Sequence, residues 1–191
     1  MIAMRPIAAA FVLAVAALVS ACGEDETAGD RPVDYEEAIE AREHNIVELN
    51  GIRYRIVMFR QINPRLASDG ALYEGPPPEG DVGVFAAFLR ACNTADVRTM
   101  PTNDVTLEDA FGEAYPRLPA VSDEAFDYDP RPLRPDLCLP PSDGAADRAF
   151  PGAVLLFAVP FDRLSNRPFV LQLQDRNERG DVETRRVELD L

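Results

Sequence analysis

The chain has one histidine, no lysine and four methionines among its 191 residues, and each scarcity removes a class of chemistry. The histidine, His44, lies ahead of the strand-rich region, in what reads as a tether. A Ser-His-Asp or Cys-His device holds its imidazole beside the nucleophile, which a flexible tether cannot do. One histidine also leaves a His-based zinc site short of ligands. Beyond the N-terminal segment only Met58 and Met100 remain, too few for a Met-rich copper site. No phosphate-cradling glycine motif occurs. The chain is therefore expected not to be an enzyme, and no cofactor is implied.

Positive charge is scarce too. Nineteen basic residues, all Arg, face 33 acids for a formal net charge of −14. Such a chain is a poor partner for nucleic acid, whose phosphates attract basic surfaces. Anionic headgroups should repel it as well. Two carboxylates suffice in principle for glycoside hydrolysis, but most acids here read as solvated surface charge. Asp123, Glu124, Asp127 and Asp129 form the one acidic loop weighed as a weak Ca²⁺ candidate, since calcium takes six to eight oxygens. The EF-hand order, with its Gly and closing Glu, is absent. Arg179-Gly180-Asp181 resembles an integrin-recognition tripeptide, and Gly-Asp is ordinary hairpin chemistry.

The apolar run Ile7–Leu18 is too short to span a hydrocarbon core, which takes about 20 residues. With Arg5 before it and Ser20-Ala21 after it, the run has the parts of a secretory signal. Leu18-Val19-Ser20-Ala21-Cys22 has the pattern of a bacterial lipobox, although Val19 stands where Leu is commonest. Cys22 is then the expected first mature residue, carrying lipid on its sulfur and amino group. The alternative is ordinary cleavage near Ala21, leaving Cys22 a free thiol. Two or three acyl chains hold firmly where one binds only marginally. The expected location is extracytoplasmic: the outer leaflet of the plasma membrane in a monoderm, or the periplasm or outer membrane in a diderm. Gly23, rather than Asp, permits outer-membrane sorting.

Removing residues 1–21 takes away Arg5 and no acid, leaving 170 residues at a net charge of −15. That length suits one domain plus a tether. Two cysteines remain, Cys92 and Cys138. In an oxidising compartment an even pair reads as a disulfide; a two-thiolate metal site, the rival, lacks partners. Closing a loop of about 46 residues is worth roughly 4 kcal/mol in the chain-entropy model.

Residues 22–45 read as an acidic tether that cannot bury enough surface to order itself, with a short frayed helix over Tyr35–His44. Residues 46–191 read as strands. Ile46–Leu49 runs into the Asn50-Gly51 turn signal, and Ile52–Phe59 alternates before turning apolar. Val82–Cys92 is a long apolar run, expected as a buried central strand. Val105–Glu108 and Glu113–Tyr115 bracket a hairpin turn, and Ala153–Phe161, Phe169–Gln174 and Val182–Leu191 follow. Two breaker-rich loops, 63–80 and 119–150, interrupt them. Phe85, Phe88, Phe157, Phe161 and Phe169 fall on strands and are expected mainly in the core. Seven or eight short strands with little helix predict an all-β, antiparallel sandwich.

Four motifs follow one another between Ile46 and Leu191. Asn50-Gly51 precedes the first strong strand. Phe85–Asn93 followed by Thr94 forms a buried strand pattern ending in Asn-Thr. Leu107, Asp109, Gly112 and Tyr115 spell an L-x-D-x-x-G-x-x-Y hairpin. Phe150-Pro151-Gly152 leads into Leu156–Pro160 as a P-G…L-F-x-V-P stretch. In this order the motifs resemble those of the immunoglobulin-like DUF4352 family of bacterial lipoproteins, whose fold a secreted mycobacterial antigen of the MPT63 type shares. The resemblance implies an extracytoplasmic binding or accessory domain without established catalysis, and it carries over no functional residues. The expected function is recognition of an envelope protein or glycan by loops on a sandwich anchored through Cys22 and braced by Cys92 and Cys138. The alternative is a small-ligand or Ca²⁺-binding accessory lipoprotein of a transport or envelope-assembly system.

Overall fold

The computed structural model describes residues 41–73, 75–76, 78–119, 126–142, 144 and 152–191. Its strands are β1 (Ala41–Arg42), β2 (Ile46–Leu49), β3 (Ile52–Ile62), β4 (Val82–Asn93), β5 (Asp104–Glu108) and β6 (Ala114–Tyr115). After them come β7 (Arg117–Leu118), β8 (Cys138–Leu139), β9 (Ala153–Pro160), β10 (Phe169–Arg176) and β11 (Val182–Leu189). One sheet runs β1-β11-β10-β5-β6; the other runs β2-β3-β4-β9-β7, with β8 also on β4. Among the described residues every pairing between these strands is antiparallel except β1 on β11. The two sheets pack face to face as a β-sandwich.

Inward residues from both sheets, among them Tyr54, Phe85, Phe157, Phe169 and Leu171, make the main core. Each fully buried Phe or Leu contributes roughly 1.5–3 kcal/mol. The long apolar run becomes β4, and both of its faces are covered. Phe85, Ala87 and Leu89 enter the main core, while Val84, Ala86 and Phe88 enter a second cluster on the outer face. Leu72 and Tyr73 of the 63–80 loop close that outer cluster. Arg60 packs its guanidinium over Phe88, 5.6 Å from the ring centroid, and grips Asp69 of the short helix α1 (Ala67–Gly70) through bonds of 2.8 and 3.1 Å. The guanidinium beside it holds the Asp69 carboxyl below the ordinary range. Through Leu72 and Tyr73 the described part of the 63–80 loop thus covers the sheet.

The hairpin motif resolves into one buried carboxylate. Asp109 Oδ1 accepts from the backbone N–H groups of Phe111 (2.9 Å) and Glu113 (3.0 Å). Its Oδ2 accepts from the Tyr115 hydroxyl and the Asn166 amide, both at 2.9 Å. Gly112 takes φ +79°, which the tight turn requires. Burial pushes the Asp109 carboxyl up, but the accepted bonds outweigh it and hold the group below the ordinary carboxylate range.

The domain begins earlier than its sequence suggests. Residues 41–45, expected as the end of a frayed helix and tether, belong to the sandwich. Ala41 pairs with Val187 and is buried. Glu43 donates its N–H to the Glu188 carbonyl, and its carboxylate accepts from the N–H groups of Phe59 (3.2 Å) and Asp190 (3.0 Å). An isolated i,i+4 pair offers only a few tenths of a kcal/mol to a short helix, less than these sheet bonds provide. His44 is therefore fixed in the domain and not in a tether. Its N–H bonds the Ile56 carbonyl at φ +73°, and its ring stays largely in solvent, 3.9 Å from Glu43. The rest of the expected tether, residues 22–40, lies outside the described residues.

Candidate functional site

Four connections meet at one end of the sandwich: the β2–β3 turn, the β4–β5 connection (94–103), the 127–138 segment and the β10–β11 turn. Asn50 ties the two sheets there by donating to Asp175 Oδ2 and the Arg176 carbonyl, both at 3.0 Å. Gly51, at φ +75°, lies so close to Ala95 that an added Cβ would sit 2.9 Å from that side chain. Thr94 donates to the Gly51 carbonyl through both its N–H and its hydroxyl.

Asn93, 1% exposed, is the hub of the next layer. Its amide donates to the carbonyls of Val97 (2.8 Å) and Leu133 (2.9 Å), and its Oδ1 accepts from the Ala95 N–H. Thr99 and Leu133 exchange both backbone bonds, at 3.0 and 2.9 Å. Cys92 and Cys138 pair across β4 and β8 and form a disulfide. The strand-ending Asn-Thr motif therefore organises a loop cluster.

Two buried tyrosines clamp the same end from below. The Tyr54 hydroxyl accepts from the Thr102 N–H (2.7 Å), and the Tyr128 hydroxyl donates to the Thr102 carbonyl (2.8 Å). Burial pushes the Tyr54 phenol up to about 12 and raises Tyr128 further. Both stay protonated at any physiological pH, so the clamp is pH-independent there.

On this scaffold the surface is concave and mixed. A groove of about 880 Å³ runs between Asn50, Val97, Met100 and Arg179. A cavity of about 350 Å³ lies beside the disulfide, lined by Arg98, Arg131, Arg134 and Asp136 among others. Val97 is 66% exposed, Met100 53%, Val182 54% and Leu137 44%, four of the seven large exposed apolar side chains among the described residues. Apolar and Arg side chains on fixed loops are the usual material of a recognition surface.

The expected site residues fare differently. Cys22, with the whole 1–21 segment, lies outside the described residues, as do Asp123 and Glu124. Asp127 is held by Arg117 at 2.7 Å, and the same guanidinium stacks over Tyr128 and bonds its carbonyl. Asp129 is exposed. A guanidinium thus occupies the position a cation would take at Asp127, and among the described residues no three His, Cys, Asp or Glu side chains gather with ligand geometry. Arg179-Gly180-Asp181 closes the β10–β11 hairpin. Asn177 Oδ1 accepts from the N–H groups of Arg179 and Asp181, and Gly180 sits at φ +85°. Among the described residues no helix is long and apolar enough to cross a membrane. Sequence reasoning missed Arg98, Arg131 and Arg134. The signal available for them was the proposed Cys92–Cys138 pairing, which brings residues near 98 and 134 together.

No protein-family model matches the chain, and no curated protein matches it. Solved structures do. A Bacillus subtilis protein, ycdA, described as a candidate lipoprotein, superposes with a TM-score of 0.48 at 11% identity over 76% of this chain. This chain spans only 38% of ycdA's length. The yjhA protein of Bacillus subtilis gives a TM-score of 0.54 at 10% identity, covering 78% of this chain and 99% of that one. An uncharacterised β-sandwich protein of Clostridium difficile gives 0.40 at 10% identity, over 80% and 96% of the two chains. At these identities the likeness to yjhA speaks for the β-sandwich fold alone.

Proposed function

We propose that this chain is a lipid-anchored, extracytoplasmic recognition module of the bacterial envelope, without catalysis, whose binding surface is the loop end of the sandwich. One observation carries the binding half of this reading: four connections, distant in sequence, are locked into a concave surface with exposed Val97, Met100, Leu137 and Val182 at its edges. A folded chain that only needed stability would gain little from rigid apolar loops in water. The anchoring half rests on Leu18–Cys22 and the apolar run before it. The resemblance of the Asn50-Gly51, Asn93-Thr94 and Asp109–Tyr115 motifs to DUF4352 domains supports the same assignment. A protein or glycan of the envelope fits such a surface, with the acyl chains as the membrane contact.

The test is crosslinking of the tagged protein in its own cells, followed by purification and identification of what co-purifies. Cys22→Ala and a Val97→Asp/Met100→Asp pair serve as variants. A partner lost with the loop pair supports the reading, and its loss with Cys22→Ala places recognition at the membrane. A partner retained by the loop pair refutes the assigned surface.

A further inference from the structure

We infer that the cavity beside the disulfide is a binding site for an oxyanion, a phosphate or carboxylate group carried by an extracellular ligand. This deepens the reading of the loop end as a binding surface and rests on it. In a chain of net charge −14, three guanidiniums line one cavity of about 350 Å³: Arg98, Arg131 and Arg134. Among the described residues of that lining Asp136 is the one carboxylate, and their charges sum to +2. Among the described residues none of the three arginines is in an ion pair. By contrast, Arg60 and Arg117 elsewhere in the domain are each spent on a carboxylate.

The cavity is built on fixed backbone. Arg98 precedes Thr99, whose paired bonds with Leu133 hold it opposite the 131–134 stretch. The Leu133 carbonyl also takes the Asn93 amide. Asp136 donates its N–H to the Asn93 carbonyl (3.1 Å), and Asn93 donates its own to the Leu137 carbonyl (2.9 Å). Cys138, next in the chain, is covalently tied to Cys92. Arg98 and the Arg131/Arg134 pair, 33 and 36 positions further along the chain, are therefore presented by anchored backbone, which lowers the ordering cost of binding.

Chemistry selects the ligand class. A guanidinium presents two parallel N–H donors that match the oxygens of a phosphate or carboxylate. Leu133, Leu137 and Pro141 supply apolar wall beside them. The volume lies at the small end of ligand pockets, room for one or two anionic groups rather than a large ring system.

The experiment is isothermal titration of the purified lipidated protein, in neutral detergent, with inorganic pyrophosphate and separately with citrate. Arg131→Gln, Arg134→Gln and Arg179→Gln are compared; the last removes the same charge from the neighbouring groove, outside this cavity. We expect saturable binding of at least one probe, weakened tenfold or more by Arg131→Gln and by Arg134→Gln and little by Arg179→Gln. Preference for pyrophosphate marks a phosphate ligand, and preference for citrate a carboxylate one; either supports the site. No saturation by either probe at millimolar concentration overturns it, and so does equal weakening by all three variants. Retained thermal stability of the variants excludes unfolding as the cause. If the probes fail while the Val97→Asp/Met100→Asp pair still loses its crosslinked partner, the anion site falls and the binding surface stands.

Discussion

Replacing Asp109 tests whether a single carboxylate closes the β5–β6 end of the sandwich. The side chain is wholly buried and accepts four hydrogen bonds, two from backbone and two from the Tyr115 hydroxyl and the Asn166 amide. Asp109→Ala leaves the buried Tyr115 hydroxyl and the part-buried Asn166 amide without their acceptor. Each such orphan costs roughly 1–3 kcal/mol. The Phe111 and Glu113 amides lie nearer solvent, where water replaces part of what they lose. The expected destabilisation is about 3–5 kcal/mol at pH 7, or roughly 8–15 °C in Tm for a domain of this size. Asp109→Asn keeps the shape and loses the charge, and should cost about 1–3 kcal/mol.

Acid sharpens the test. Because the folded carboxyl titrates below its unfolded value of about 4, its stabilisation is full above that pH. It is lost as pH falls through the depressed folded value. The gap between wild type and Asp109→Asn, measured by chemical denaturation, should therefore be widest near neutrality and begin to close as pH falls below about 4. An Asp109→Ala protein within 1 kcal/mol of wild type at pH 7 would refute the reasoning. So would a gap that does not change with pH.

Two further substitutions probe the loops. The double variant Cys92→Ser/Cys138→Ser releases a loop with a sequence separation of 46, and should lose about 4 kcal/mol in denaturant titrations of the oxidised protein; a loss below 1 kcal/mol would mean that the Asn93 and Thr99 bonds already close this loop. Asp69→Ala strips Arg60 of its bidentate partner and the Asn63 N–H of its acceptor. It should cost about 2–3 kcal/mol and open the 63–80 cover to limited proteolysis, and unchanged cleavage there would contradict a covering role.

Much of the fold is legible along the chain because strand patterning is local. Ile52–Phe59 alternates, Asn50-Gly51 turns, and both appear at those positions as β3 and its hairpin. Val82–Cys92 is long enough for a helix, but its flanking Gly and Asn-Thr favour a central strand, and β4 is indeed covered on both faces. Short strands are another matter. β1, β7 and β8 are two residues each, too short for any periodicity, and exist only because a neighbour offers unpaired backbone. That is why Ala41-Arg42 reads as helix and tether and folds as sheet. The loop site was half legible: the Asn93-Thr94 ending and the even cysteine pair mark its frame, while its arginines look like scattered surface charge.

What the sequence determined by itself is whatever neighbouring residues decide. Alternation, turn glycines, the Asp109 hairpin and the expectation of an anchor at Cys22 are all read from a few contiguous positions. Tertiary structure alone decided which loop covers a sheet and which forms a surface. The 63–80 loop buries Leu72 and Tyr73 against β4, whereas the 127–138 segment is drawn to the sandwich end by Asn93, Thr99 and Cys92. Both loops are rich in Pro and charge, so those features cannot separate them. The difference lies in long-range bonds to partners that no local window contains.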